Sequence, residues 1–292
     1  MLARSLLLKV FTSRNYFTNT FPKAIPNCGK RRSIWAKKEW QSSTISHRQN
    51  QNVRSTQCMA KISSFFNGII GSLLYAACMT RPDVSFYIAY LCQFMQSPSE
   101  EAWHASLSVA SYLYSTKHLG ITFGGKQTCN VAAVDLSSDR LIIFSDASFG
   151  RESTPFAGGF VQWANGAISW MARKAKFIPQ SSCESEVFGA VMVLKESEFA
   201  TQVINFICDS LRKPSAALID NKAAYDVIRY PGATKRTVHF SRWLHFARSL
   251  CLRNRIEMYL VGTDDMMGDI FTKALDKTKF LKCRDYIMKS VG

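Results

Sequence analysis

The chain has 292 residues with 37 Lys and Arg against 21 Asp and Glu, which gives a formal net charge of +16 at pH 7. That length is enough for one or two domains with a sizeable core. Because no run of roughly 18 apolar residues occurs, the sequence predicts no membrane span. The nine cysteines form no CxxC pair and no Cys/His cluster, which argues against a zinc site and indicates reduced thiols.

The positive charge is concentrated at the N-terminus. Residues 1–62 hold 12 Lys and Arg and a single acid, Glu39, so most of the net charge lies in this leading segment. We therefore predict a disordered basic leader and linker over residues 1–60. Three interpretations stay open for it: a mitochondrial transit peptide, a secretion leader, and an incidental basic tail that leaves the protein in the cytoplasm or nucleus.

Residues 61–125 are predicted to form a helical unit. Apolar residues recur at helical spacing between Ile69 and Ala77, which indicates a first helix. A Pro-Asp pair then favours a second helix over about 84–95, since proline fits a first helical turn. A Ser-Pro pair precedes a third helix, and residues 121–123 are predicted to begin a strand after it.

Residues 140–275 alternate between predicted strands and helices. The apolar run 141–144 suits a strand buried on both faces. Asn165-Gly166 is a strong hairpin signal, and Ser181-Ser182 is predicted to begin a long helix. The order indicates an α/β fold with a mixed sheet. The other predicted segments are strands at 156–163, 167–173, 215–219 and 256–261, and helices ending near 207 and 229 and spanning 239–253 and 264–275.

Four carboxylates stand beside these apolar segments. Asp146 and Asp220 follow predicted strands, at the edge where ligands bind in open α/β sheets. Glu186 lies in the first turn of the long helix, and Asp269 lies in the last predicted helix. If the four converge, their mutual repulsion requires cations, and Mg²⁺ or Mn²⁺ suits oxygen ligands best. The spacing alone leaves open that they are unrelated turn and surface residues.

Glu184 competes with Glu186 for a place in such a site. Two residues that are two positions apart on a helix point about 200° apart, so a given site can be reached by only one of them. The apolar periodicity of the helix does not choose between the two.

A chain of motifs resembles one known family. The run from GSLLYAACMTRPDVSF to STKHLGITF is similar to the end of the reverse transcriptase region in copia-type retrotransposon Pol polyproteins. The segments SDAS, SSCESEVFGA, IDNKAAYDVI, KRTVHF and GDIFTKAL then match, in order, the motifs of the ribonuclease H domain that follows it. Together these segments cover roughly residues 65–290.

This resemblance implies a fold and a domain organisation. Residues 61–125 would be a helical remnant of the thumb or connection region of a reverse transcriptase. Residues 139–290 would be a ribonuclease H-like domain, which is a mixed five-stranded sheet with flanking helices. A reverse transcriptase domain is then an expected partner, and no membrane partner is expected.

The resemblance also implies an activity. Its catalytic acids carry over to Asp146, Glu186, Asp220 and Asp269, which would hold two Mg²⁺ or Mn²⁺ ions that activate a water for hydrolysis of the RNA strand in an RNA–DNA hybrid. The family's glutamate stands before an apolar residue with Ala four positions on, a pattern that Glu186 meets and Glu184 fits less well. The basic residues predicted to contact nucleic-acid phosphates are Lys174, Lys176, Arg236 and His239.

Departures from the family pattern leave a second function open. Gly268 stands where the family has Ala before its last catalytic Asp, and the Tyr-x-Asp-Asp motif of the polymerase is absent from the sequence, so no polymerase activity is expected. The alternative to a nuclease is a catalytically silent relic or a co-opted non-enzymatic protein, either organelle-targeted or a secreted effector. Residues 1–60 contain no clear Arg-x-Leu-Arg delivery motif.

Overall fold

The computed structural model describes residues 53–124, 139–149, 155–230, 232 and 235–288. The predictions for residues 1–52 and for most of the linker at 126–139 therefore lie outside the described residues. The first helix begins at Val53, which is earlier than the predicted end of the leader. None of the helices in these ranges is long and apolar enough to cross a membrane.

The N-terminal part is helical, as predicted. Helix α1 spans Val53–Met79, α2 spans Ser85–Leu91 between two 3₁₀ turns, and α3 spans Glu100–Ser115. The strand predicted at 121–123 is wrong, because these residues adopt no regular structure. They run past the tip of the following hairpin, where Gly124 N–H donates to Ala164 O at 2.6 Å.

Within the described residues, five strands form one mixed sheet in the order β3-β2-β1-β4-β5. Strands β1, β2 and β3 are antiparallel neighbours, whereas β4 and β5 run parallel to β1. The mixed five-stranded sheet that the resemblance implies is therefore confirmed. The strand bounds are Ile142–Ala147 for β1, Phe156–Trp163 for β2, Gly166–Lys174 for β3, Ser215–Ile219 for β4 and Ile256–Leu260 for β5.

The predicted hairpin joins β2 to β3. Ala164 and Asn165 at its tip have φ values of 47° and 63°, both in the left-handed region. Two consecutive residues of this kind match the twist of a two-residue hairpin turn, and asparagine tolerates the conformation better than most side chains.

Helices cover the sheet. Helix α4 spans Ser182–Cys208 and begins at the predicted serines, with the Ser181 hydroxyl accepting from Glu184 N–H. Helix α5 spans Lys222–Arg229, α6 spans Ser241–Leu252 after a 3₁₀ segment at Lys235–Phe240, and α7 spans Lys277–Ile287.

The last predicted helix, at 264–275, is wrong. Two 3₁₀ turns, Thr263–Asp265 and Met267–Phe271, occupy that segment. The buried residues Met266, Met267 and Phe271 have a spacing that resembles that of an α-helix, but the segment is too short to form one. The true helix, α7, starts one residue after Asp276, whose carboxylate accepts from Lys279 N–H as an N-cap.

The two faces of the sheet have separate cores. Leu141 and Ile143 pack with α4, α5 and α6 on one face, while Ile142 and Phe144 pack with α7 and the N-terminal helices on the other. Burial on both faces explains why 141–144 is a continuous apolar run rather than an alternating one.

The helical unit shares the second core with the sheet. The rings of Phe86 and Phe156 meet edge-on with centroids 5.1 Å apart, and Phe280 of α7 lies between Tyr87 and Tyr112 at 6.1 and 5.9 Å. Trp170 Nε1–H on β3 donates to Ala77 O of α1 at 2.7 Å. The helical unit and the sheet are therefore packed against each other, and the division of the chain into two units stays a prediction.

Phe280→Ala is expected to destabilise the whole described fold. Phe280 is completely buried where α7, the helical unit and the sheet meet, so its truncation should lower the free energy of unfolding by about 3–5 kcal/mol. Phe206→Ala is the matched control, because that ring is 92% exposed and its loss should change stability by less than about 0.5 kcal/mol. Urea denaturation followed by circular dichroism measures both, and equal effects would contradict the shared core.

Candidate metal centre

Three carboxylates from three different elements meet at one edge of the sheet. Asp146 is in β1, and Asp220 directly follows β4, which pairs with β1 in parallel. Glu186 is the fifth residue of α4. One oxygen from each of the three lies within 4.8 Å of the others. We call Asp146, Glu186 and Asp220 the three-carboxylate group.

A glycine sets the distance between α4 and β1. A Cβ atom on Gly189 would lie 2.9 Å from the backbone oxygen of Asp146, so only a residue without a side chain allows the two backbones to approach this closely. Glu186 lies three residues before Gly189 and therefore on the same face of the helix. The close approach of the backbones thus brings Glu186 beside Asp146.

The two competing glutamates have different surroundings. Glu184 Oε2 accepts from Gln180 N–H at 2.6 Å and lies 3.2 Å from His239 Nε2. The Glu184 carboxylate therefore already has polar partners at the start of α4. Glu186 is buried, and its Oε2 has no hydrogen-bond partner among the described residues. The structure directs Glu186, and not Glu184, toward Asp146 and Asp220. The role of Glu186 as a metal ligand stays a prediction.

Asp269 is close to this group but is held by two lysines. It is completely buried in the 3₁₀ turn Met267–Phe271. Lys273 Nζ lies 2.6 Å from Asp269 Oδ1 and 3.5 Å from Asp146 Oδ2. Lys279 Nζ contacts Asp269 Oδ2 and donates to Thr263 O at 2.7 Å. Within the described residues, Asp269 does not belong to the set of oxygens that lie within 4.8 Å of one another.

Sequence reasoning missed the residues that surround the acids. The Thr272 hydroxyl donates to Asp146 Oδ2, next to the ammonium of Lys273. Lys273 follows Asp269 by four positions, which is the spacing of an ion pair on one helical face and was a readable signal. Lys279 is in α7, a helix that was not predicted, so its contact with Asp269 could not have been found.

Burial and repulsion disfavour the ionised carboxylates. Burial raises the pKa of Asp146 to about 6, against the opposing effect of Lys273. Burial, followed by repulsion from Asp146 and Asp220, raises the pKa of Glu186 well above its usual value. Burial and then Asp269 also raise the pKa of Asp220.

The neighbouring carboxylates favour the charged form of Lys273. Burial alone would lower the pKa of Lys273, but the charges of Asp146 and Asp269 outweigh that effect and raise it. When all four carboxylates, including Asp269, are ionised, the two ammonium groups leave two negative charges uncompensated.

The residues present fit a hard divalent cation. The three-carboxylate group offers only oxygen ligands, which Mg²⁺ and Mn²⁺ prefer. The buried Glu186 Oε2 is an acceptor whose desolvation no described donor offsets, and a cation would supply the missing interaction.

The basic residues predicted to contact nucleic acid have mixed surroundings. The sheet register aligns Asp146 with Gly158 and Gly158 with Ala172, so Lys174 lies at the same edge of the sheet as the acids. Its ammonium donates to Gln93 Oε1 of the helical unit at 2.6 Å, a contact that the sequence did not suggest.

The other three basic residues have different surroundings, and the structure describes the side chains of only two of them. Lys176 is exposed just beyond β3. His239 is paired with Glu184. The backbone of Arg236 lies in the 3₁₀ segment, but its side chain is outside the described residues. Contact of all four with nucleic acid stays a prediction.

Several curated proteins are similar to this chain. The Pol polyprotein from transposon RE1 of Arabidopsis thaliana is 28% identical over 218 residues, which is 74% of this chain but 14% of that protein. The Pol polyprotein from transposon TNT 1-94 of Nicotiana tabacum is 24% identical over 78% of this chain and 16% of its own length. Secreted RxLR effector protein 161 of Plasmopara viticola is 28% identical over 45% of this chain and 88% of its own length.

Solved structures are also similar to this chain, whereas no family model matches it. The N-terminal ribonuclease H domain of Rv2228c from Mycobacterium tuberculosis, solved as a maltose-binding-protein fusion, covers 49% of this chain and 95% of its own with a TM-score of 0.35 and 14% identity. A foamy viral protease-reverse transcriptase in complex with double-stranded DNA covers 68% of this chain and 38% of its own with a TM-score of 0.36 and 13% identity.

The homologues of this chain are retrovirus-related Pol polyproteins of copia-type transposons, so the resemblance read from the sequence is confirmed. The chain spans only about one seventh of the length of these polyproteins.

Gly189→Ala is expected to separate Glu186 from Asp146. The added methyl group would clash with the backbone oxygen of Asp146, so we expect a loss of about 1–3 kcal/mol in stability and weaker binding of Mn²⁺. Gly68→Ala in α1 is the matched control. No atom lies within 4 Å of its added Cβ, and replacing an exposed helical glycine should raise stability by about 0.5–1 kcal/mol. Thermal unfolding with and without Mn²⁺ measures both, and effects of the same sign would contradict this role for Gly189.

The ion-free protein should lose stability as the pH rises. Because the folded pKa of Asp146 is raised from 3.8 to about 6, its contribution falls as the pH rises from about 4 through 6, by at most about 1.4 kcal/mol per pH unit. The raised pKa of Glu186 extends the fall to higher pH. Millimolar Mg²⁺ should restore the loss, and more strongly at pH 8 than at pH 5, since the ligands must be deprotonated.

Glu186→Gln tests the source of this dependence. The neutral amide should stabilise the ion-free protein at pH 8 and reduce the increase in melting temperature produced by Mg²⁺. Glu184→Gln, two residues away, should leave the response to Mg²⁺ unchanged, because Glu184 is held by Gln180 and His239. A melting temperature that does not depend on pH between 4 and 8 in either wild type or variant would contradict the electrostatic account.

Proposed function

We propose that this chain is a retrotransposon-derived ribonuclease H-like protein that hydrolyses the RNA strand of RNA–DNA hybrids with two Mg²⁺ or Mn²⁺ ions. The observation that carries the proposal is the three-carboxylate group, in which a buried oxygen of Glu186 has no hydrogen-bond partner among the described residues. Homology to retrotransposon Pol polyproteins supports the same reading.

Each acid has a defined part in this proposal. The bound ions would activate a water and stabilise the leaving oxygen of the phosphodiester. Asp146, Glu186 and Asp220 would hold them, with Asp146 oriented by the Thr272 hydroxyl. Asp269 would join as a fourth ligand once its contact with Lys273 is released.

The substrate would lie along the edge of the sheet that carries the acids. Lys174 and Lys176 at the end of β3 would contact phosphates of one strand, and Arg236 and His239 before α6 would contact the other. Recognition of the RNA strand would use its 2′-hydroxyl groups. A reverse transcriptase domain is a proposed partner, because the chain is similar to part of retrovirus-related Pol polyproteins.

A non-enzymatic role is the second candidate, and one relative favours it. A protein named as a secreted RxLR effector matches 45% of this chain over 88% of its own length, so sequence similar to part of this chain makes up most of a protein with a non-enzymatic name. In that case the acids would be retained from an ancestor without serving hydrolysis. Export or delivery to an organelle by residues 1–60 belongs to this second proposal.

Asp146→Asn should reduce hybrid cleavage at least about 100-fold, since loss of a metal-binding carboxylate removes several kcal/mol of transition-state stabilisation. The purified full chain is incubated with Mg²⁺ and an RNA–DNA hybrid labelled on the RNA strand. Asp209→Asn is the control. It is exposed at the far end of α4, roughly 35 Å along the helix from Glu186, and should cut at the wild-type rate.

Three results separate the candidates. Cleavage of the hybrid that is lost in Asp146→Asn supports the nuclease. Cleavage that survives Asp146→Asn contradicts the assigned site. Binding of Mg²⁺ without any cleavage by wild type favours the non-enzymatic role.

A further inference from the structure

The ammonium of Lys273 lies where a second cation would be expected. It is 2.6 Å from Asp269 Oδ1 and 3.5 Å from Asp146 Oδ2, and so bridges the acid outside the three-carboxylate group to one inside it. Two metal ions that act together on a phosphodiester lie roughly 3.5–4 Å apart, and Asp146 and Asp269 are residues that would hold the second ion. A positive side chain and a second metal ion cannot occupy the same position between these two acids.

Each carboxylate oxygen of Asp269 is already paired with a lysine ammonium group. Lys273 contacts its Oδ1 and Lys279 contacts its Oδ2. No neutral donor from the described residues reaches either oxygen, so the two ammonium groups are what offset the burial of this carboxylate.

The charges around the site also favour one divalent ion in this state. When all four carboxylates are ionised, as metal ligation requires, the two ammonium groups leave two negative charges, which a single divalent cation would neutralise. The available ligands for that ion are Asp146, Glu186 and Asp220, because their oxygens already converge.

The two lysines are not equivalent. Lys279 is 19% exposed at its side chain and is also anchored to the Thr263 carbonyl. Lys273 is 36% exposed, and within the described part of the chain its ammonium contacts only the two carboxylates. Lys273 is therefore the lysine that a phosphate group at the site could draw away.

We propose that Lys273 holds the second cation position, so that the substrate-free protein binds one divalent ion and takes up a second only after the Lys273 side chain leaves Asp269 for a substrate phosphate. The inference rests on the proposed function and deepens it. It makes Lys273 a positioning residue that couples substrate binding to assembly of the two-ion site.

The test is the number of Mn²⁺ ions bound by the substrate-free full chain, measured by isothermal titration calorimetry. Wild type should bind one ion. Lys273→Met, whose unbranched side chain is one atom shorter and uncharged, should bind two. Lys279→Met is the matched control and should still bind one, because Lys273 remains between the acids. Lys273→Arg, which keeps a cation there, should also bind one.

Each result of the titration either supports or contradicts the inference. Two ions of similar affinity in wild type, or one ion in Lys273→Met, would overturn the inference and leave the proposed nuclease intact. No ion in wild type would instead contradict the metal centre itself. If removing the charge prevents Lys273→Met from folding, Lys273→Gln is used, since its amide can still donate to Asp269. One ion in that variant would count against the inference equally.

Discussion

The structure depends on the burial of like charges at one edge of the sheet. Asp146, Glu186 and Asp269 are each almost inaccessible to water, and moving an ionised carboxylate out of water costs several kcal/mol unless other charges offset it. The surrounding elements supply part of the offset. Thr272 and Lys273, just after the 3₁₀ turn Met267–Phe271, and Lys279 of α7 contact the acids. What remains uncompensated is negative, and this is the physical reason to regard the edge as a cation site.

Much of this arrangement was readable from the sequence. The strand at 141–144 is buried on both faces and was visible as an unbroken apolar run, and the turn at Asn165 carried its own conformational signature. The positions of Asp146 and Asp220 at one edge followed from the α/β order, since parallel strands end on the same side. These features come from short-range rules, in which neighbours in sequence determine the local backbone.

Other features could not be read in this way. The choice between Glu184 and Glu186 depends on Gly189 and on how closely α4 approaches β1, which periodicity does not report. The 3₁₀ turn around Asp269 was mistaken for a helix, because buried apolar residues at similar spacing occur in both. The contact of Asp269 with Lys279 joins two elements whose relative position is fixed only by packing of the whole second core.

The position of α7 has a consequence for damaged copies of such a gene. This eleven-residue helix brings Phe280 into the shared aromatic core and Lys279 against Asp269. A premature stop codon before Lys277 would therefore remove a large hydrophobic anchor and a compensating charge together. The product would retain every proposed ligand and yet have neither the packing nor the charge to keep them buried, so the survival of the acidic motifs alone would be a poor indicator that a truncated reading frame still encodes a folded protein.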